Sequence, residues 1–443
     1  MPVPAVSRHF ALRCPDFPLR KSCPHAATTR HPLKGNVENS KLHPLPYAQS
    51  HEEYSLPLEA VEFLCKKEIP EIISNCLPLL KNPLKLSENL SKKFNLQERH
   101  ALMHYMEILP KIREKFCLPA GINLICDRLA FEQATAKDIS EYKAKLWPSE
   151  AKIADLCCGM GGDSFWLPPG ISVQGADIAP ERVLMFNENM ERLGLSHRAT
   201  MQNALNIDGG DFFCIDPARR GELTPSFENI LEISKKFSGG MIKLPPAFPE
   251  NEIPKESDVL YLGNESDCRE CLMLSGVFGK ETIRAVAVGK NEIFEWQCNR
   301  EELQNINLGA KKPGSFILEP SPVLVRSHLF LSEAKKYGFW QIDPTLAYLS
   351  CENLPASYNG FSAYKVMDQS SLSTNNVKNM LRKYDVGKIT LKKRGVEVVP
   401  ETEIRRLAPK GNSEEEFILF YTRVLNEKRA VLAIGHSAKN IDI

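Results

Sequence analysis

The stretch K-I-A-D-L-C-C-G-M-G-G-D, Lys152 to Asp163, decides the fold. It starts as a short apolar strand, passes through Gly159, Gly161 and Gly162, and opens the next segment at Asp163. A strand that runs into a glycine-rich turn and then a helix is a device for cradling a ligand. Glycine takes a positive φ without strain and lets the backbone approach a ligand with no Cβ in the way. The N–H groups at the start of the new helix point at whatever sits there. Eighteen residues after Gly159, a second apolar strand, Ile171 to Ala176, ends in Asp177. A carboxylate at the tip of a second strand is placed to bind the two hydroxyls of a ribose.

A glycine turn alone is a weak signal, because many helices simply start at one. The dinucleotide fingerprint G-x-G-x-x-G calls for a third glycine at position 164, which is Ser164, so a nicotinamide or flavin dinucleotide is disfavoured. The pattern is acid-x-x-x-Gly-x-Gly, with Asp155 four residues before Gly159. It resembles motif I of the class I S-adenosylmethionine-dependent methyltransferases. That resemblance implies that Asp155, Gly159, Gly161 and Asp163 hold the methionine part of S-adenosylmethionine and that Asp177 holds its ribose.

Outward from the turn the chain alternates between strands and helices. A short helix is stopped by Pro168-Pro169, and the strand 171–176 follows. The helix 180–193 has Pro180 in its first turn and Gly194 past its end. Strands are expected at 199–202, 212–215, 241–244, 258–262 and 282–288, with a helix at 227–237. Strands joined by crossover helices make a mostly parallel, doubly wound α/β sheet, here a Rossmann-like methyltransferase domain over 126–290. Ligands in such sheets sit beyond the carboxyl ends of the strands, where all the candidate residues fall. One helix is expected over 127–150, and its Gln133 either lines the cofactor pocket or faces solvent. Strand three ends in Asn203-Ala204, where the resemblance places an acid on the adenine amino group; Asn203 accepts that bond through its carbonyl.

Strand four runs into I-D-P-A-R-R-G, Ile215 to Gly221. Methyl transfer is a displacement at a sulfonium, so the enzyme aligns the nucleophile, supplies electrostatics and sometimes takes a proton. Asp216, at the strand tip, faces the transferred methyl and is suited to accept a hydrogen bond from an amine or ring N–H. Pro217 stiffens the turn. Arg219, with a catalytic role, and Arg220, on the substrate, offer planar donors to a phosphate or a base edge. The plainer readings are a turn cap for Asp216 and surface ion pairs for the arginines. The motif is similar to the D-P-P-[YF] tetrad of amino-methyltransferases, without its aromatic. It is also similar to D-P-P-R-x-G of the RNA uridine carbon-5 methyltransferases. Their cysteine nucleophile has a faint counterpart in Tyr348-Leu-Ser-Cys351, but Cys351 lies 135 residues beyond Asp216 and outside the catalytic sheet.

The rest of the 443 residues bounds the function loosely. At ~100–200 residues per domain the length allows two to four. A charged fraction of 25% and a net charge of +1 suit a globular protein and argue for no particular partner. No apolar run approaches the ~18 residues of a membrane span. The 13 cysteines are odd in number and scattered, as Cys126, Cys157, Cys158 and Cys214 show; this suits buried thiols in a cytoplasmic protein and no disulfide framework. Cys268-Arg-Glu-Cys271 lacks a second pair at metal spacing, so no metal is expected.

Residues 1–52 read as a disordered, dispensable tail, whose first 51 positions hold only two acids, Asp16 and Glu38. An organellar transit peptide shares that composition. Residues 53–125 read as a helical cap. Residues 361–443 read as a small α+β domain with 15 Lys+Arg against 10 Asp+Glu, an excess of five, densest at Lys392, Lys393 and Arg394 and at Arg405-Arg406. Such clusters are either a solvated face or a polyanion site; placed in a domain appended to a catalytic one, they favour the polyanion.

Five motifs in order make the resemblance more specific. IDPARRGE (215–222), IKLPP (242–246), ECLML (270–274), LEPSPVLVRS (318–327) and LKKRG (391–395) resemble the bacterial class I methyltransferases with a C-terminal THUMP-like domain. The resemblance covers roughly 120–433. It implies a ferredoxin-like segment at 291–360, a THUMP-like domain at 361–443 and, by analogy with THUMP domains, a tRNA or rRNA substrate bound in part by Arg220, Lys392, Lys393 and Arg394. The expected activity is methylation of an RNA nitrogen. Two other readings stay open: a methyltransferase for a protein or small molecule, and an RNA-binding protein that holds the cofactor without turnover.

Overall fold

The computed structural model describes residues 55–220, 222–289 and 292–436. The expected tail, 1–52, lies outside them. The chain divides into two compact units, whose described residues fall within 55–300 and 301–436.

The first unit opens with four helices: α1 (Leu58–Leu64), α2 (Ile69–Cys76), α3 (Pro83–Ser91) and α4 (Leu96–Lys115). Asn95 starts α4 with a reciprocal cap: its side chain accepts from Glu98 N–H, and Glu98 accepts from Asn95 N–H. This cap does not stand alone. Leu102, Tyr105 and Met106 of α4 share one buried cluster with Ile153, Val173, Met185 and Phe186.

Two short helices follow, α5 (Arg128–Gln133) and α6 (Lys137–Ala144), where the sequence suggests one over 127–150. The break is at Ala134, whose backbone is extended (φ −64, ψ 141). There the glycine turn presses in, and a Cβ on Gly162 would lie 3.0 Å from Ala134 Cβ.

Next come β1 (Lys152–Leu156), β2 (Ser172–Asp177), α7 (Pro180–Arg192), β3 (Arg198–Met201), β4 (Gly210–Ile215) and a small hairpin of β5 (Ala218–Arg220) and β6 (Glu222–Thr224). Then follow α8 (Phe227–Ser234), β7 (Phe237–Leu244), β8 (Asp258–Gly263), β9 (Cys268–Gly276), β10 (Thr282–Val288) and β11 (Ile293–Asn299). Among the described residues nine strands form one sheet in the order β11-β10-β8-β9-β7-β4-β1-β2-β3. The strands from β7 to β3 are parallel, as expected for a doubly wound sheet. The strand absent from the sequence reading is β9, which inserts antiparallel between β7 and β8. Asn264 makes the hairpin that turns β8 into β9, its side chain accepting the N–H groups of Ser266 and Asp267. The helix expected after β1 is replaced by turns, because Cys157 (φ 59), Gly159 (φ 55) and Gly161 (φ 96) interrupt helical backbone.

A buried ion pair fastens the start of α5 to α7. Arg182 of α7 donates from Nη1 to both oxygens of Asp127, 2.9 Å each, while Asp127 also takes the N–H groups of Leu56 and Ala130. About two turns further along α7, Asn189 donates to the carbonyls of Ile125 and, inside the glycine turn, Met160. The cap therefore helps to fix the turn.

The second unit begins with α9 (Arg300–Gln304), whose first residue belongs to the first unit. It continues with β12 (Phe316–Pro320), α10 (Pro322–Arg326), α11 (Phe330–Tyr337), β13 (Trp340–Gln341), β14 (Leu349–Cys351) and β15 (Phe361–Ser371). It ends with α12 (Thr374–Lys383), β16 (Val386–Lys393), α13 (Pro400–Leu407), β17 (Ser413–Val424) and β18 (Glu427–His436). Between α10 and α11 the backbone leaves helical geometry where His328 takes φ 58. The strands form one sheet, β13-β14-β12-β15-β18-β17-β16. The segment 291–360 is thus shared out: β11 pairs with β10 in the first sheet, and β12 to β14 extend the second.

Candidate active site

The glycine turn leaves a backbone-lined space beside an acid. Asp177, at the end of β2, accepts the N–H of Gly159 at 3.0 Å and that of Ala179 at 3.0 Å. Its carboxylate is thereby held against the turn. A Cβ added to Gly159 would meet nothing within 4 Å, so that side of the turn is open. Gly161 works differently. Its Cβ would point inward, 2.7 Å from Met190 Cε and 2.9 Å from Phe165 Cε1, so its glycine is required by core packing as well as by φ 96. Beside Asp177 and at the neighbouring strand tip, three large apolar side chains stay exposed: Ile178 (68%), Met201 (66%) and Leu205 (40%). Exposed apolar surface flanking a fixed carboxylate fits an aromatic base joined to a ribose. Asn203 is exposed, and its Oδ1 already accepts the N–H of Leu205 at 3.0 Å; Ala204 is buried. Gln133 is exposed at the end of α5.

The motif's first acid lies deeper. Asp155 is 5% exposed and accepts the Ser164 hydroxyl at 2.6 Å. Burial, with Asp163 adding to it, pushes its carboxyl up to about 7 against the opposing hydrogen bonds of Ser164 and Cys214. Asp155, Asp163, Asp216, Lys143 and Lys243 all line one cavity between α6 and the sheet.

At the wall of that cavity, and behind it at Glu270, two lysines and three carboxylates form a ladder. Lys143 of α6 lies 2.5 Å from Asp163 and 2.9 Å from Glu270 of β9. Lys243 of β7 lies 2.7 Å from Asp216 and 3.1 Å from Glu270. Thr135, in the break between α5 and α6, donates its hydroxyl to Glu270 at 2.9 Å. Burial disfavours the charge on Lys243, but the carboxylates of Glu270 and Asp216 outweigh it and raise its pKa. Burial likewise disfavours the charge on Glu270, and the two ammonium groups outweigh it and lower its pKa. Both groups therefore stay ionised. Asp216 sits at the tip of β4, with its side chain 32% exposed. Sequence reading picked out Asp155, Asp163 and Asp216, and missed Thr135, Lys143, Lys243 and Glu270 as partners of these acids.

Arg219 and Arg220 have their backbone in β5, and their side chains lie outside the described residues. In the second unit, Cys351 is buried in β14, and burial pushes its thiol up to about 11, which suits no nucleophilic thiolate. Lys392 pairs with Glu319 of β12 and lies 5.3 Å from the Tyr364 ring centroid. Burial opposes its charge, but the bond to Glu319 prevails and raises its pKa. Arg394 lies 3.8 Å from the same Glu319 and 4.7 Å from the Tyr348 ring centroid. Lys393 is exposed on β16, an edge strand.

Comparison with known proteins agrees with this architecture. A family model described as THUMP domain-like matches residues 361–436. Uncharacterised S-adenosylmethionine-dependent methyltransferases from two strains of Mycobacterium tuberculosis, CDC 1551 and H37Rv, are each 25% identical over 300 residues, covering 64% of this chain and 80% of theirs. A crystal structure from Porphyromonas gingivalis W83, provisionally described as a methyltransferase, matches with a TM-score of 0.67 at 19% identity, over 78% of this chain and 92% of that one; this likeness is one of fold. The chain is a class I S-adenosylmethionine-dependent methyltransferase with a THUMP-like domain at its C-terminus.

Proposed function

We propose that the methyl acceptor is a nitrogen of a structured RNA such as tRNA or rRNA. The observation that carries this reading is the joining, in one chain, of a methyltransferase sheet with Asp216 at the tip of β4 and a THUMP-domain-like segment at 361–436 with excess positive charge. Gly159, Gly161, Asp155 and Asp163 form the turn that takes the methionine end of the cofactor. Asp177 takes the ribose hydroxyls, and Ile178, Met201 and Leu205, with Asn203 and Ala204, border the adenine. S-adenosylmethionine, when bound, supplies a methyl group on a sulfonium. Asp216 accepts the hydrogen bond of the acceptor N–H and turns the nitrogen lone pair toward the methyl. As the new bond forms, the surplus proton leaves the nitrogen for Asp216 or water. Arg219 and Arg220 follow Asp216 by three and four residues, a spacing that suits the phosphate next to the target base.

The test is transfer of a labelled methyl group to total RNA, protein and small-molecule fractions. The label is expected in RNA, in N-methylated nucleosides after digestion. Label confined to protein or small molecules overturns the RNA reading. Asp216→Ala is expected to keep cofactor affinity and lose turnover by roughly two to four powers of ten, the worth of a lost acid–base or orienting group.

A further inference from the structure

We propose that Lys243, backed by Glu270, is a positioning residue that fixes the carboxylate of Asp216 toward the acceptor. This rests on the reading of Asp216 given above. The ammonium of Lys243 has three donors. Three oxygens lie within reach: Asp216 Oδ2 at 2.7 Å, Glu270 at 3.1 Å and Thr135 Oγ1 at 3.4 Å. Held by hydrogen bonds to Asp216 and Thr135 and by the ion pair with Glu270, Nζ has little freedom to swing, and the Asp216 oxygen it holds is fixed with it. Glu270 is anchored in turn by Lys143 at 2.9 Å and by the Thr135 hydroxyl at 2.9 Å. These anchors come from α6, the α5–α6 break and β9, so Asp216 is tied through Lys243 of β7 to three further segments.

Stability alone gives no reason for such a cluster. Lys143, Lys243 and Glu270 are 6%, 8% and 4% exposed. Moving ions of this kind out of water is expensive, and well-packed apolar residues in their place are often neutral or stabilising. Around Lys243 such residues abound: Met241, Ile242 and Leu244 on the same strand are buried. A lysine set into that strand brings a cation to the acid at the strand tip next door, with Glu270 and Thr135 holding it there. Placement matters because a displacement of about 1 Å at a reacting group can reduce a rate by about a hundredfold.

Lys243→Met alone leaves three carboxylates with one lysine among them, and instability by itself would account for its loss of activity. The double substitution Lys243→Met with Glu270→Gln removes one charge of each sign and keeps the formal balance of the cluster. Three quantities are measured on the double variant: melting temperature, S-adenosylhomocysteine binding by calorimetry, and the initial rate of methyl transfer to whichever fraction takes label with the wild type. The expected result is a melting temperature close to wild type, affinity within about threefold, and a rate lower by about a hundredfold, the cost of a misplaced group. Recovery of the rate together with the stability overturns the proposal, because Lys243 would then act only as a buried counter-charge. The two readings fail separately. An active Asp216→Ala removes the role of Asp216 itself. An inactive Asp216→Ala beside an active double variant removes only the role of Lys243.

Discussion

The two units each contain lysines bound to glutamate, and the two clusters behave oppositely. In the first, Lys143 and Lys243 flank Glu270, with lysine side chains 8% and 10% exposed and the glutamate 5%. In the second, Lys392 and Arg394 share Glu319, with side chains 30%, 18% and 20% exposed. The buried cluster ends on two acids, Asp163 and Asp216, beside the glycine turn and at the tip of β4. The half-exposed one ends on tyrosine rings, Tyr364 and Tyr348. A charge near water is cheap to place and contributes little, whereas a buried charge must be fully matched. The comparison teaches that a basic run such as Lys392-Lys393-Arg394 overstates the cation available to a partner, while single charges inside apolar strands mark the site.

The largest expected difference is in stability. Lys143→Met strips a buried cation from between Asp163 and Glu270 and should cost about 3–5 kcal/mol, as for a broken buried pair. Lys392→Met removes a partly solvated one and should cost about 1 kcal/mol or less. Urea unfolding of the two variants measures both. Similar losses at the two positions would mean that burial does not separate the clusters, and that the ladder is no more than a surface-like network.

The next effect is on cofactor affinity. Asp177→Ala should lose a charge-assisted hydrogen bond, about 1.5–3 kcal/mol or on the order of tenfold or more in S-adenosylhomocysteine binding. Lys392→Met should leave that affinity unchanged. Asp177→Ala is a cleaner probe than Gly161→Val. A side chain at Gly161 would strike Met190 and Phe165 and damage the core whether or not a ligand is bound. Unaltered affinity in Asp177→Ala would remove the ribose assignment.

How far the sequence carried the reading depends on the range of the contacts. The glycine turn, Asp177 and Asp216 were legible because each sits at a strand tip beside its own motif, and a parallel sheet gathers strand tips at one edge. The ladder was not. Thr135 and Glu270 are 135 residues apart, and Lys143 and Glu270 are 127 apart, so no local pattern joins them. The strand β9 was also missed, since E-C-L-M-L is a short apolar run that periodicity cannot assign. Yet a signal was present. Lys243 in M-I-K-L and Glu270 in E-C-L-M-L are opposite charges inside apolar strands, and a charge in such a place needs a partner of the other sign. The same logic applies to Glu319 in L-E-P-S-P, which takes Lys392 from 73 residues away.

The smallest effect, and the finest test of the comparison, concerns salt. Each phosphate neutralised by a cation releases a counterion, which lowers the slope of log affinity against log salt by about 0.7–0.9 per contact. Lys393 is exposed on the edge strand β16, while Lys392 and Arg394 meet Glu319 before any partner arrives. A cation already paired with a carboxylate brings less net charge to a phosphate. If the THUMP-like domain binds RNA, Lys393→Ala should flatten the slope by close to one full contact, and Lys392→Ala or Arg394→Ala by less than half of one. Glu319→Gln should act in the other direction, freeing both cations and steepening the slope. A fluorescence titration of labelled tRNA at several salt concentrations measures all four variants. Equal flattening by Lys392→Ala and Lys393→Ala, with no change for Glu319→Gln, would mean that the pairing with Glu319 opens on binding. An unchanged slope throughout would make all three cations a solvated face, and the RNA reading would then rest on the THUMP-like segment alone.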